Sequence, residues 1–204
     1  SKSLQDSLAK MLDGNPEFIL IDAQKIVYEQ AIALARKSMN DRKKRVMIIE
    51  GGPGTGKSVV AINLLVQFTK KFEMHCRYVT KNSAPRLVYK IKHKKHGMKG
   101  KNIDYLFTGS GSFTDVPTDY YSSLIVDEAH RLNAKSGMMK NLGENQVKEI
   151  INSALLSVFF IDHAQKIHIN DIGSIDEIKK WAKYLNAEVF ENKLVSQFRC
   201  NGSE

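Results

Sequence analysis

Gly51-Gly-Pro-Gly-Thr-Gly-Lys-Ser58 fills the pattern G-x-x-x-x-G-K-[ST] at every position. Gly51 and Gly56 permit a tight turn and a close backbone approach to a ligand. At Gly52, Gly54 and Thr55 the main chain can aim N–H groups inward, with Pro53, which has no N–H, in the same turn, making an anion nest at the start of the next helix. Lys57 supplies a mobile positive charge for β- and γ-phosphates, and the Ser58 hydroxyl is suited to Mg²⁺. The flanks agree. Arg45–Glu50 is a short apolar run fit for a buried parallel strand, and residues 58–72 have helical periodicity. The stretch predicts a bound nucleotide, ATP with Mg²⁺.

Outward from this loop, strands are predicted at 45–50, 75–80, 103–107, 122–127, 156–161 and 188–195. A helix is expected over Ala23–Lys37 with Asp22 as its N-cap, and further helices at 58–72, 84–93, 145–154 and 175–185. Alternation of this kind predicts an α/β fold, a parallel sheet sandwiched between helices. Ligands of such sheets lie at the carboxyl ends of the strands. The polar stretch Thr108–Asp115 reads as a loop, either a linker or a surface lying against a bound strand.

Ser123-Leu-Ile-Val-Asp127-Glu128-Ala-His130-Arg131 ends an apolar strand in two consecutive acids. Acids are costly there unless they meet a cation. Asp127 suits Mg²⁺ held through its water shell, and Glu128 is the candidate general base for an attacking water. A base at that position favours hydrolysis over phosphate transfer to an alcohol. The next strand ends in Asp162-His-Ala-Gln165, where Gln165 can bond the γ-phosphate or the water. Near the end, Gln197-Phe-Arg199 offers a guanidinium to charge developing on the γ-phosphate.

In order, Gly51–Ser58, Asp127–Arg131, Asp162–Gln165 and Gln197–Arg199 resemble motifs I to IV of superfamily 1 helicases. More closely, the chain resembles the Schlafen-like (group 3) DNA/RNA helicase domain. Val79-Thr-Lys-Asn-Ser-Ala-Pro85, Leu106–Gly109 and Gln197-Phe-Arg-Cys-Asn-Gly202 are similar to phrases of that family, and the likeness covers about residues 20–204. It implies a RecA-like P-loop NTPase fold, the first motor domain of a helicase or translocase on single-stranded DNA or RNA. Residues 1–204 form that one domain, with about 1–20 as a lead-in, and a second RecA-like domain is expected elsewhere in the parent chain. Gln24 is implied as the adenine-reading glutamine, Thr80 and Asn82 as contacts to the nucleic-acid backbone, Gln165 as the coupling residue and Arg199 as a γ-phosphate contact. Ile161-Asp162 replaces the usual Gly-Asp of the third motif, and the second motif ends in Ala129-His130, as in many superfamily 2 enzymes.

Bulk composition fits this class. The chain has 204 residues, 42% apolar and 26% charged, enough for one sizeable core. No apolar run nears the roughly 18 residues that cross a bilayer, so no membrane role is expected. Ser1–Gln5 lacks the apolar centre of a signal peptide. Two distant cysteines, Cys76 and Cys200, read as idle thiols of a reducing compartment, and a cytoplasmic setting is expected. The net charge of +9 is uneven: Lys81, Arg86, Lys90, Lys92, Lys94, Lys95, Lys99 and Lys101 fall in a stretch with no acid. Self-repulsion makes such a run favour a polyanion, with Arg86, Lys92, Lys94 and Lys95 as candidate phosphate contacts. Two other classes fit less well: an ATP-gated switch or binding module, and a nucleotide or small-molecule kinase.

Overall fold

The computed structural model describes residues 19–81, 104–162, 165 and 171–195. Among these residues six strands form one sheet: β1 (Arg45–Gly51), β2 (Cys76–Thr80), β3 (Phe107–Gly109), β4 (Tyr121–Val126), β5 (Ala154–Ile161) and β6 (Glu188–Leu194). Their order is β3-β2-β4-β5-β1-β6, and every pairing is parallel. β5 explains itself: Ala-Leu-Leu-Ser-Val-Phe-Phe-Ile is buried at all eight positions, as a central strand covered on both faces must be.

Strand alternation sorts the core into two layers. Met47, Ile49, Leu156, Val158, Phe160 and Tyr78 face helices α1 (Asp22–Asp41) and α2 (Lys57–Val66). Val46, Ile48, Leu124, Val126, Phe159 and Ile161 face α3 (Gln146–Ser153) and α4 (Ile175–Tyr184). Each such apolar side chain, removed from water, contributes about 1.5–3 kcal/mol. The sheet with helices on both faces is the expected α/β, RecA-like P-loop fold.

Helix ends follow from local chemistry. Asn145 caps α3 by accepting from Lys148 N at 3.1 Å, and Ser174 caps α4 by accepting from Glu177 N at 3.1 Å. At the far end of α3 the chain enters β5 without a turn. The Lys44 ammonium collects the carbonyls left over, donating to Ile151 O (2.8 Å), Asn152 O (3.2 Å) and Ala154 O (2.6 Å), and pairs with Asp119. Helix α1 begins one residue earlier than expected, with Ile21 at the N-cap and Asp22 as the first helical residue. The helix after the phosphate loop is α-helical only to Val66 and continues as a π turn over Gln67–Lys71, which buries Phe68.

Two expectations change around β3. Its strand is Phe107–Gly109, preceded by a 3₁₀ turn at Asp104–Leu106, in place of 103–107. The segment expected to be a polar loop contributes this edge strand, pairing Thr80 with Gly109, and then a 3₁₀ turn, Ser110–Phe113. Phe113 decides the geometry: it enters the core beside Tyr121, with ring centroids 5.9 Å apart. The expected helix at 84–93 lies outside the described residues. Among the described residues, no helix is long and apolar enough to cross a membrane.

Candidate nucleotide site

Three adjacent strands, β1, β5 and β4, deliver the three polar clusters to one edge of the sheet. Their carboxyl ends lead into the 51–58 loop, Asp162 and Asp127-Glu128 respectively. Between them lies a cavity of about 370 Å³, lined by Gly52, Pro53, Gly54, Gly56, Lys57, Ser58, Val59, Asp127, Glu128, His130, Asp162 and Gln165. Residues more than 100 positions apart in sequence thus meet where a doubly covered parallel sheet places its ligand.

The loop is shaped by its own contacts. Gly56 is left-handed (φ 84°) and caps α2. The Thr55 hydroxyl donates to Gly52 O at 2.7 Å across the turn, and a Cβ on Gly51 would lie 2.5 Å from that hydroxyl oxygen. The Lys57 ammonium donates to Gly51 O (2.5 Å) and Gly52 O (2.8 Å), so it is drawn over the loop at the cavity wall. Gln24 reaches the same loop from behind. Its Nε2 donates to Thr55 O at 3.2 Å, and its Oε1 accepts from Ile21 N at 3.3 Å. A Cβ on Gly56 would sit 1.9 Å from that Nε2. The glutamine implied as an adenine reader has both ends of its amide engaged, Nε2 on the phosphate loop and Oε1 on the N-cap of its own helix.

Asp127 is held on both oxygens. Oδ2 accepts from the Tyr78 hydroxyl at 2.8 Å, and Oδ1 accepts from Glu128 N at 2.9 Å. Burial raises its pKa, with the Glu128 charge acting in the same sense, while these hydrogen bonds and the Lys57 charge oppose the rise. A carboxylate so placed gains from a cation. Glu128 adopts φ 47°, ψ 46°, a left-handed conformation uncommon for a non-glycine residue. Its exposed carboxylate lies 3.6 Å from Arg131. Gln165 Nε2 lies 3.4 Å from Asp162 Oδ2 at the cavity edge.

His130 joins the second cluster to the third. Its Nδ1 accepts from Asp162 N at 3.3 Å, which assigns the neutral ring proton to Nε2. Burial lowers its pKa, against the raising influence of Glu128, Asp162 and Asp127.

Thr80 lies at the end of β2. Asn82, Arg86, Lys92, Lys94, Lys95 and Arg199 lie outside the described residues. The basic run also acquires a counter-charge that its own stretch lacks: Lys81 pairs with Asp171 at 3.3 Å. Sequence reasoning missed Tyr78, Asp171 and Gly173. Only Tyr78 left a trace, as a polar-tipped aromatic between Arg77 and Val79 in a predicted strand.

The fold is similar to that of several solved structures. Domain III of the Thermotoga maritima replication initiation protein DnaA matches at 15% identity and TM-score 0.47, over 93% of this chain and 68% of that one. A putative primosome component from Streptococcus pyogenes serotype M3 matches at 14% identity and TM-score 0.46, over 89% and 86%. DnaI matches at 18% identity and TM-score 0.43, over 92% and 89%. At the level of sequence, the family model described as Schlafen group 3, DNA/RNA helicase domain matches residues 44–204, a span that opens just before β1 and contains all of the cavity wall. The chain belongs to the Schlafen group 3 DNA/RNA helicase domain family.

Proposed function

We propose that this domain binds Mg-ATP and hydrolyses it as the first motor domain of a cytoplasmic helicase or translocase on single-stranded DNA or RNA, working with a second RecA-like domain. One observation carries the reading: Lys57, Ser58, Asp127, Glu128 and Gln165 line a single cavity. The phosphates lie against Gly51–Ser58, where main-chain N–H groups and the α2 N-terminus favour an anion. Lys57 exchanges its loop carbonyls for phosphate oxygens. Glu128 takes a proton from the water that attacks the γ-phosphorus, ADP leaves, and Gln165 orients that water. Arg199 completes the γ-phosphate contacts. Gln24 reads adenine, with one Nε2 hydrogen and one Oε1 lone pair left over by Thr55 O and Ile21 N.

Mg²⁺ fits the donors present. Among the described residues, no group of three or more His, Cys, Asp or Glu could hold a metal ion. Ser58 and Asp127 would instead share the ion with phosphate oxygens and water, the arrangement Mg²⁺ favours. Bound there, it supplies charge neutralisation at the β- and γ-phosphates.

For nucleic acid, Thr80, Asn82, Arg86, Lys92, Lys94 and Lys95 are the proposed contacts. The test is phosphate release by the full-length protein with and without single-stranded oligonucleotide. Stimulated release supports the motor; nucleotide binding with unstimulated release favours the ATP-gated switch; label from γ-labelled ATP appearing on an acceptor favours a kinase.

A further inference from the structure

The end of β2 touches the acids of the site from two directions. Val79 O accepts from Asp127 N at 3.0 Å, and one residue earlier the Tyr78 hydroxyl donates to Asp127 Oδ2 at 2.8 Å. Tyr78 is 1% exposed, with its ring against Phe107 at a centroid distance of 5.4 Å, so the phenol has little room to swing away. With Oδ1 taken by Glu128 N, the orientation of the carboxylate is fixed by contacts on both oxygens.

The second contact passes through Asp171. Lys81 Nζ lies 3.3 Å from Asp171 Oδ1, and the Asp171 side chain is 1% exposed. Residues 171–173 lie along the turn that follows Glu128. Asp171 bridges Asn133, Ile172 N donates to Leu132 O at 2.6 Å, and Gly173 packs so tightly that a Cβ there would fall 1.5 Å from Ala129 O. That turn holds Glu128 in its left-handed conformation, with Glu128 O accepting from Arg131 N at 2.9 Å. A phosphate that draws Lys81 away takes a cation from an enclosed carboxylate, and the disturbance falls on the segment bracing this turn.

We propose that the carboxyl end of β2 is the coupling element of the domain: Tyr78 is a positioning residue for Asp127, and Lys81 acts through Asp171 on the turn that carries Glu128. A nucleic-acid strand at Thr80 and Lys81 thereby adjusts both acids of hydrolysis. The inference rests on the ATPase reading above.

Two measurements test it. In the first, affinity for a fluorescent ATP analogue is compared with Mg²⁺ and with EDTA, for the chain and for Tyr78→Phe. The affinity gained from Mg²⁺ should shrink about tenfold in the variant, as when other partners that orient a metal ligand are removed. An equal gain overturns the role of Tyr78. If the unaltered chain fails to bind the analogue, the ATPase reading itself falls, so the two failures are distinct.

In the second, full-length Asp171→Asn keeps the Lys81 charge for the strand but weakens its hold on residues 171–173. Strand affinity should stay within about twofold while stimulation of phosphate release drops about fivefold or more, the lower range of allosteric coupling. Unchanged stimulation, or affinity and stimulation falling together, overturns the role of Lys81. Should Asp171→Asn fail to fold, Lys81→Gln replaces it: stimulation should then fall by a larger factor than strand affinity, and equal factors overturn the proposal.

Discussion

Glu128 allows backbone strain to be separated from chemistry. At φ 47°, ψ 46° its side chain costs about 1–2 kcal/mol, whereas glycine enters this region freely. Replacing Glu128 by Gly removes that cost and adds about 0.5–1 kcal/mol of chain entropy to be lost on folding. The exposed pair with Arg131 at 3.6 Å adds little to either side. The main-chain bond from residue 128 N to Asp127 Oδ1 survives the substitution. Glu128→Gly should therefore be at least as stable as the parent, by up to about 1.5 kcal/mol, which is at most roughly 6 °C in Tm for a domain of this size. Glu128→Gln keeps the strained backbone and should match the parent in stability within about 0.5 kcal/mol. Both should slow hydrolysis about 10²-fold or more if Glu128 is the general base. Urea and thermal unfolding of the chain, beside phosphate release by the full-length protein, give the comparison. A Gly variant less stable than the parent refutes the strain argument, and a Gln variant with full turnover refutes the base.

Lys57→Ala should weaken nucleotide binding in a fluorescence titration, because the ammonium now on Gly51 O and Gly52 O is the charge that would meet the phosphates. Burial lowers the pKa of His130, and only the neutral ring can accept from Asp162 N, so its contribution is complete above about pH 6.5 and is lost as pH falls through the depressed value. Unfolding free energies between pH 7 and 5 should accordingly fall more steeply in the parent than in His130→Gln. Lys44→Met removes a buried ammonium from three carbonyls and Asp119, and should cost about 3 kcal/mol in chemical denaturation. Replacing Lys92, Lys94 and Lys95 by Gln should flatten the log–log salt dependence of single-strand affinity by about 0.7 for each phosphate no longer neutralised; an unchanged slope would mean that the basic run is only a solvated face.

Much of the fold is legible because each strand of the central sheet carries its own evidence. Val46–Ile49 is a continuous apolar run and Ala154–Ile161 is interrupted only by Ser157, and such runs need cover on both faces. The phosphate loop is equally local, since glycine positions and a terminal Lys-Ser define it without any partner. Boundaries are harder to read where a tertiary contact decides them. Nothing in Thr108–Asp115 distinguishes a loop from an edge strand until Phe113 finds the core and Gly109 pairs with Thr80. The π turn at Gln67–Lys71 likewise continues a helical pattern that periodicity alone carries through to residue 72.

Side chains that act across strands are the least legible, and the reason is physical. A charge run is judged by its neighbours in sequence, yet Lys81 finds Asp171 ninety residues away because β2 and the 129–133 turn share one end of the sheet. The same argument applies to Gln24. The family resemblance implies a base reader, whereas the packing of α1 beside α2 brings its amide to Thr55 O and places it under Gly56. In both cases the sequence identifies a residue type able to meet a phosphate or a base, and the fold supplies a protein partner at hydrogen-bonding distance. A role toward ligand that needs the same donor is won in competition with that partner. Such a competition couples sites, because a group already bonded to the scaffold transmits its release to whatever it was holding.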